Sequence, residues 1–245
     1  MSGQEARRSF HQQLEEIKGE IVRLGGSVIE AIPRGTSILL DGDLEGADLL
    51  IASDADLNVR ALALEDRCYN VLALQQPMAS DLRGIITAIR MTSEIERSGD
   101  LVVNICKGSR RMYGHDLDPK LRGLISRMGE QAHLLYRYAI DAYVENDAHL
   151  AAALNDIDDV LDRLHADFIQ AIFESHAAGR VDLQVGVQLA LIGRFYERIG
   201  DHAVNIGERV RYMVTGEMTS HELHAEGSAE KSLNIDVPTD ETPQE

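Results

Sequence analysis

Residues 96–105 read ERSGDLVVNI, and residues 197–206 read ERIGDHAVNI. Seven of the ten positions are identical, and five of those seven are polar or glycine: Glu96/Glu197, Arg97/Arg198, Gly99/Gly200, Asp100/Asp201 and Asn104/Asn205. General likeness between two buried helices keeps apolar positions and lets polar ones drift, so this repeat points to a polar task carried out twice. The likeness continues outward at the breaks between helices. Asp41-Gly42-Asp43 corresponds to Glu145-Asn146-Asp147 at an offset of 104, and Asp81-Leu82 to Asp182-Leu183 at an offset of 101. A unit of about a hundred residues is therefore duplicated.

Helical periodicity fills nearly all of residues 6–215 and is divided by turn signals. Helices are expected over 8–40, 44–74, 80–112, 119–144, 148–176 and 182–213, with breaks at Asp41-Gly42-Asp43, Gln76-Pro77 and Gly114–Asp118. Ser80, followed by Asp81, reads as an N-terminal cap, and Pro33 inside the first helix predicts a kink there. The fold class that follows is all-α: two pseudo-symmetric three-helix bundles, one from residues 6–112 and one from 113–215. Residues 216–245 change in character to Gly, Ser, Thr, Pro and acids with little apolar periodicity, and are expected to form a disordered acidic tail.

Composition narrows the class. The chain has 245 residues, 44% of them hydrophobic, with 5 prolines and no Trp, which suits a sizeable helical core. The formal net charge is −17; eight acids and one lysine in residues 217–245 supply −7 of it and leave −10 on the rest. Such an acidic chain, lacking a basic patch with aromatics, is not expected to bind nucleic acid. No stretch reaches the roughly 18 consecutive apolar residues that a membrane span needs. The first ten residues, MSGQEARRSF, lack the apolar core of a signal peptide. A cytoplasmic protein without direct membrane insertion is the expectation. Cys68 and Cys106 have no metal-type spacing and read as reduced, buried thiols.

The chemistry lies in oxygen ligands. At 3.6 residues per turn, Glu96, Asp100 and Asn104 share one face, as do Glu197, Asp201 and Asn205. Carboxylates four apart repel and destabilise a bare helix, so a nearby arginine or a bound cation must offset them. Continuing the stripe of Leu82, Ile85, Ile86 and Ile89 at about 100° per residue reaches Glu96 and Asp100 within roughly 40° of Leu82, which puts the acids at a helix–helix boundary. A second apolar stripe, Met91, Ile95 and Val102, lies to the other side, and the pattern leaves open which of the two faces the core. Gly99 and Gly200 cost a helix about 1 kcal/mol each relative to Ala, a cost that a close neighbour or a ligand would justify. On the middle helix of each unit lies a second polar group: Asp54 and Asn58 with Asp56 between them, and Asp158 and Asp162 with Asp159. If these rows face the third helices, two helices supply three or four hard oxygen ligands, suited to Mg²⁺, Mn²⁺, Ca²⁺ or ferric iron. Zinc fits poorly, because no Cys or His stands at ligand spacing. Without a cation, Arg97 and Arg198 are the obvious partners, and the protein is then a metal-free helical scaffold. A di-metal carboxylate enzyme is disfavoured by the lack of a Glu-x-x-His motif on the candidate helices.

The two decapeptides, the second extended to ERIGDHAVNIGERV, together with LALQQPMASDLRGI at 72–85, resemble the signature helices and loop of the PhoU family, and the resemblance covers about residues 8–215. It implies two three-helix bundles, often dimerised, with multinuclear metal sites on paired E/D-x-x-x-D motifs, iron among the metals. Carried over, the ligands are Glu96 and Asp100 in one unit and Glu197 and Asp201 in the other, with Asp54, Asp158 and Asp162 from the middle helices. Asn58 departs from the acidic pattern and leaves the first site one charge short. The resemblance further implies a non-enzymatic negative regulator of the phosphate-starvation response, linking the phosphate ABC transporter, through its ATPase and membrane components, to a sensor histidine kinase.

Overall fold

A computed structural model describes residues 3–217, with side chains from Arg8 onward. Among the described residues there are six α-helices and no strand: α1 Gly3–Asp41, α2 Leu44–Gln75, α3 Ala79–Arg111, α4 Pro119–Glu145, α5 Ala148–Ala177 and α6 Leu183–Thr215. The acidic tail expected at 216–245 lies, beyond Glu217, outside the described residues.

Local chemistry sets most borders. Gly42, at φ +65°, makes the turn after α1, a conformation that suits glycine. Asp43 then caps α2, accepting the Gly46 N–H at 2.9 Å. Asp118 accepts from the Lys120 and Leu121 N–H groups, with Pro119 opening α4, and Asp147 and Asp182 cap α5 and α6 in the same way. Each satisfies backbone donors that a helix start leaves orphaned. The α2–α3 junction differs from expectation. Met78 occupies the cap position of α3 and provides no side-chain bond, while Ser80 is already inside the helix. Left-handed backbone at Gln76 and Ala79 turns the chain tightly enough to start α3 before Ser80. α1 continues through Pro33 to Asp41.

Packing shows the duplication. α2 packs on α1 and α3, and α5 packs on α4 and α6, while α1 also meets α4 and α3 meets α6. The four inner helices thus form a ring, with α2 and α5 leaning against opposite sides. The α1–α4 crossing is reciprocal: Gly25 of α1 faces Ile140 of α4, and Gly129 of α4 faces Thr36 of α1. Both pairings obey the 104-residue offset. Thr36 also shares a 2.8 Å hydrogen bond with the buried hydroxyl of Tyr196 on α6. The buried apolar side chains of all six helices make one continuous core. Cys68 and Cys106 are buried within it, unbonded to each other, and burial pushes both thiols up to about 11.

Candidate functional site

The open question about α3 has an answer. Met91, Ile95 and Val102 are fully buried, so that stripe faces the core. In the other stripe Ile85 is buried while Leu82, Ile86 and Ile89 are only partly covered, and the acid row lies along the boundary with α2. Gly99 makes the boundary close: a methyl group there would stand 3.3 Å from Leu57 Cδ2 and 3.6 Å from Asp54 Oδ1.

Asp54, Glu96 and Asp100 come together across this boundary. Burial first, then the Asp100 charge, raises the Asp54 carboxyl, against a hydrogen bond from Asn58 and the charge of Lys107. Glu96 is raised by burial and by Asp100, against the charge of Arg97, with smaller raising contributions from Asp54 and from Glu65, which the sequence pattern did not single out. Asn58 Nδ2 donates to Asp54 Oδ2 at 3.2 Å, while the buried Asn58 Oδ1 has no hydrogen-bond partner. Asn104 is half-buried one turn beyond Asp100. A groove of about 280 Å³, lined by Ser27, Arg34, Asp54, Leu57 and Gly99 among others, opens beside the cluster.

The second unit repeats the arrangement more tightly. A methyl group at Gly200 would collide with Leu161 Cδ2 at 2.7 Å and with the Asp158 carboxylate. Burial, followed by the charges of Asp162, Asp201 and Asp159, pushes the Asp158 carboxyl up to about 7. Its buried Oδ1 has no hydrogen-bond partner. Glu197 and Asp201 take a neighbour that the repeat did not reveal. Arg194, one turn before Glu197, forms an ion pair with it, and its Nη2 lies 4.0 Å from Asp201 Oδ2. Arg97 and Arg198, the expected partners, are exposed and form no ion pair among those described. Among the described residues, no three His, Cys, Asp or Glu side chains converge tightly enough to hold an ion as they stand.

Asn205 and His202 do something else. His202 Nδ1 meets Glu94 Oε2 at 2.5 Å across the α3–α6 contact, and Asn205 Nδ2 donates to the same oxygen at 3.4 Å. His202 is buried, and its Nε2 has no hydrogen-bond partner. Burial works to raise the Glu94 carboxyl, but the hydrogen bond and charge of His202 outweigh it and hold Glu94 below its ordinary value. The repeat does not single out His202, because Leu101 stands at its counterpart. The signal lay in that mismatch: Glu94, which corresponds to Phe195, and His202, which corresponds to Leu101, are polar in one repeat only and pair across the two units.

Comparison with known proteins follows the same duplication. The family model for the PhoU domain matches residues 21–108 and again 125–210. The phosphate-specific transport system accessory protein PhoU homolog 1 of Mycobacterium tuberculosis is 35% identical over 211 residues, spanning 86% of this chain and 95% of that protein. The crystal structure of PhoU from Pseudomonas aeruginosa superimposes with a TM-score of 0.80 at 27% identity, covering 85% of this chain and 100% of that one. That of the phosphate transport system regulatory protein PhoU from Streptococcus pneumoniae gives 0.79 at 27% identity, covering 86% and 99%.

Proposed function

The chain belongs to the PhoU family, and on that basis we propose that it is a non-enzymatic regulator of phosphate uptake and of the phosphate-starvation response. It acts in the cytoplasm, as a homodimer, by binding the ATPase and membrane components of the phosphate ABC transporter and the phosphate-sensing histidine kinase, which it restrains when phosphate is ample. The observation that carries this reading is the match of both repeats to the PhoU domain, joined to relatives whose names describe transport accessory and regulatory proteins. No helix among the described residues is long and apolar enough to cross a membrane, which agrees with action through partners that do.

The carboxylate rows are read as sites for a hard cation: iron, manganese or magnesium. Three features support the fit. The donors are all oxygen, Asp158 Oδ1 is buried without a partner, and the glycines bring each middle-helix carboxylate against the third helix. Asp54, Glu96 and Asp100 would hold an ion in the first unit, and Asp158, Asp162, Glu197 and Asp201 in the second. A bound cation would neutralise the repulsion and tie the two helices of each unit together. The metal-free scaffold keeps one observation in its favour, since Arg194 already offsets part of the second row.

Deleting the gene is expected to alter phosphate uptake or phosphate-responsive expression; unchanged behaviour in both high and low phosphate would withdraw the regulatory role. Elemental analysis of protein exposed to iron or manganese tests the rows. Glu197→Ala with Asp201→Ala should remove the second row's share of bound metal, and an unaltered metal content rejects the assignment.

A further inference from the structure

The two rows reach a similar charge by different means. The first has Asn58 where the second has Asp162, and Ser93 where the second has Arg194. The extra acid of the second unit is thus accompanied by an extra cation. Arg194 is anchored on α6, pairs with Glu197 and approaches Asp201. Its charge also reaches the half-buried His165 on α5, where burial first, and then Arg194, lower the imidazole, while Asp162 acts the other way. Arg194 is absent from the charges acting on Asp158, which stays raised. It holds the α6 side of the row and leaves the α5 side unanswered.

We propose that Arg194 is a built-in counter-cation of the second row, which a metal ion must displace from Glu197 and Asp201, so that the two rows of this chain differ in metal affinity and in how they behave when empty. The proposal rests on reading the rows as cation sites. The physical case is competition: a carboxylate oxygen held by a guanidinium is not free to coordinate, and breaking that pair subtracts from the binding free energy. Half of the Arg194 side chain is exposed, at 51%, so it can swing to solvent without leaving a buried charge behind. The charges of Arg97 and Lys107 reach Glu96 and Asp54, but Glu96 and Asp100 have no ion pair among the described residues, and an ion entering the first row has no paired arginine to displace.

The test is calorimetric titration of Mn²⁺ into the full chain, in a Glu96→Gln/Asp100→Asn background that silences the first row. Arg194→Ser, which installs the residue of the first unit, is expected to bind Mn²⁺ about fivefold more tightly than the background, since a partly exposed ion pair no longer has to be broken. Without metal the same variant is expected to melt at a lower temperature, and saturating Mn²⁺ should erase the deficit. Arg194→Lys, a weaker carboxylate partner with the charge retained, should fall between. Unchanged or weaker Mn²⁺ binding by Arg194→Ser, with the background itself binding, overturns the role of Arg194 and leaves the cation sites standing. Absence of Mn²⁺ binding to the unmutated chain and to every variant overturns both.

Discussion

Asp158 combines burial, three neighbouring carboxylates and an oxygen with no donor, so its charge opposes folding when no cation is present. With its folded pKa raised to about 7 from an ordinary value of 3.8, the folded state holds the proton more firmly than the unfolded chain does. Stability therefore falls as pH rises from the ordinary value to the raised one, and the full penalty remains above it. Asp158→Asn is expected to raise the urea midpoint of metal-free protein at pH 8 and to change little near pH 3. The opposite order would show that Asp158 is already neutralised. Glu94 and His202 are the converse case, a pair whose side chains are only 14% and 8% exposed. Removing one partner strands the other, at about 3 kcal/mol, whereas removing both with apolar replacements leaves nothing unsatisfied. Glu94→Leu and His202→Leu should each be strongly destabilising and the double variant much less so. A double variant as costly as the sum of the singles would mean no coupling. Because Glu94 is held below its ordinary value, its contribution is complete above the carboxylate range and is lost as pH falls through the lowered value. Acid denaturation should then be shallower in the double variant.

At the scale of helices, the crossings depend on residues without side chains. A methyl group at Gly129 would come within 2.8 Å of Thr36 Cγ2, and one at Gly25 within 2.5 Å of Ile140 Cδ1. Neither neighbour is free to move, since Thr36 bonds both the Ile32 carbonyl and Tyr196, and Ile140 is buried. Gly129→Ala, read by thermal melting, should cost about 1–3 kcal/mol by overpacking, despite the better helix propensity of alanine. A stabilised variant would mean that α1 and α4 can part without penalty. Helix existence was legible from periodicity, and the four aspartate caps, at positions 43, 118, 147 and 182, fall within one residue of borders read from turn signals. The start of α3 was misread because Ser80 has a capping side chain, whereas the turn is made by backbone at Gln76 and Ala79 that no residue type there advertises.

Across the whole molecule, each three-helix unit is incomplete. α1 and α3 bury one side against α4 and α6, and one apolar core runs through all six helices. Calorimetry is expected to show a single cooperative transition for residues 3–217. Two resolved transitions would mean that the repeats fold independently and that the shared core contributes little. At the α3–α6 contact Glu94, His202 and Asn205 meet, and there the internal symmetry is broken by a buried histidine–carboxylate hydrogen bond.

The sequence by itself determined the class, the six helices, the duplication and the likeness to PhoU proteins, because these are written in local periodicity and in repeated residues. It also marked Gly99 and Gly200 as needing a close neighbour or ligand, while the structure identified Asp54 with Leu57, and Asp158 with Leu161, as those neighbours. Only the tertiary structure decided which apolar stripe of α3 faces inward; the Arg194–Glu197 pair, three residues apart on α6, is within reach of the sequence and was passed over because Arg198 lies inside the repeated motif. The tertiary structure alone revealed that His202 and Asn205 serve the joint between units. The physical reason is that charge pairing acts through space between helices distant in the chain, and a side chain's partner depends on crossing geometry that periodicity along one helix does not contain.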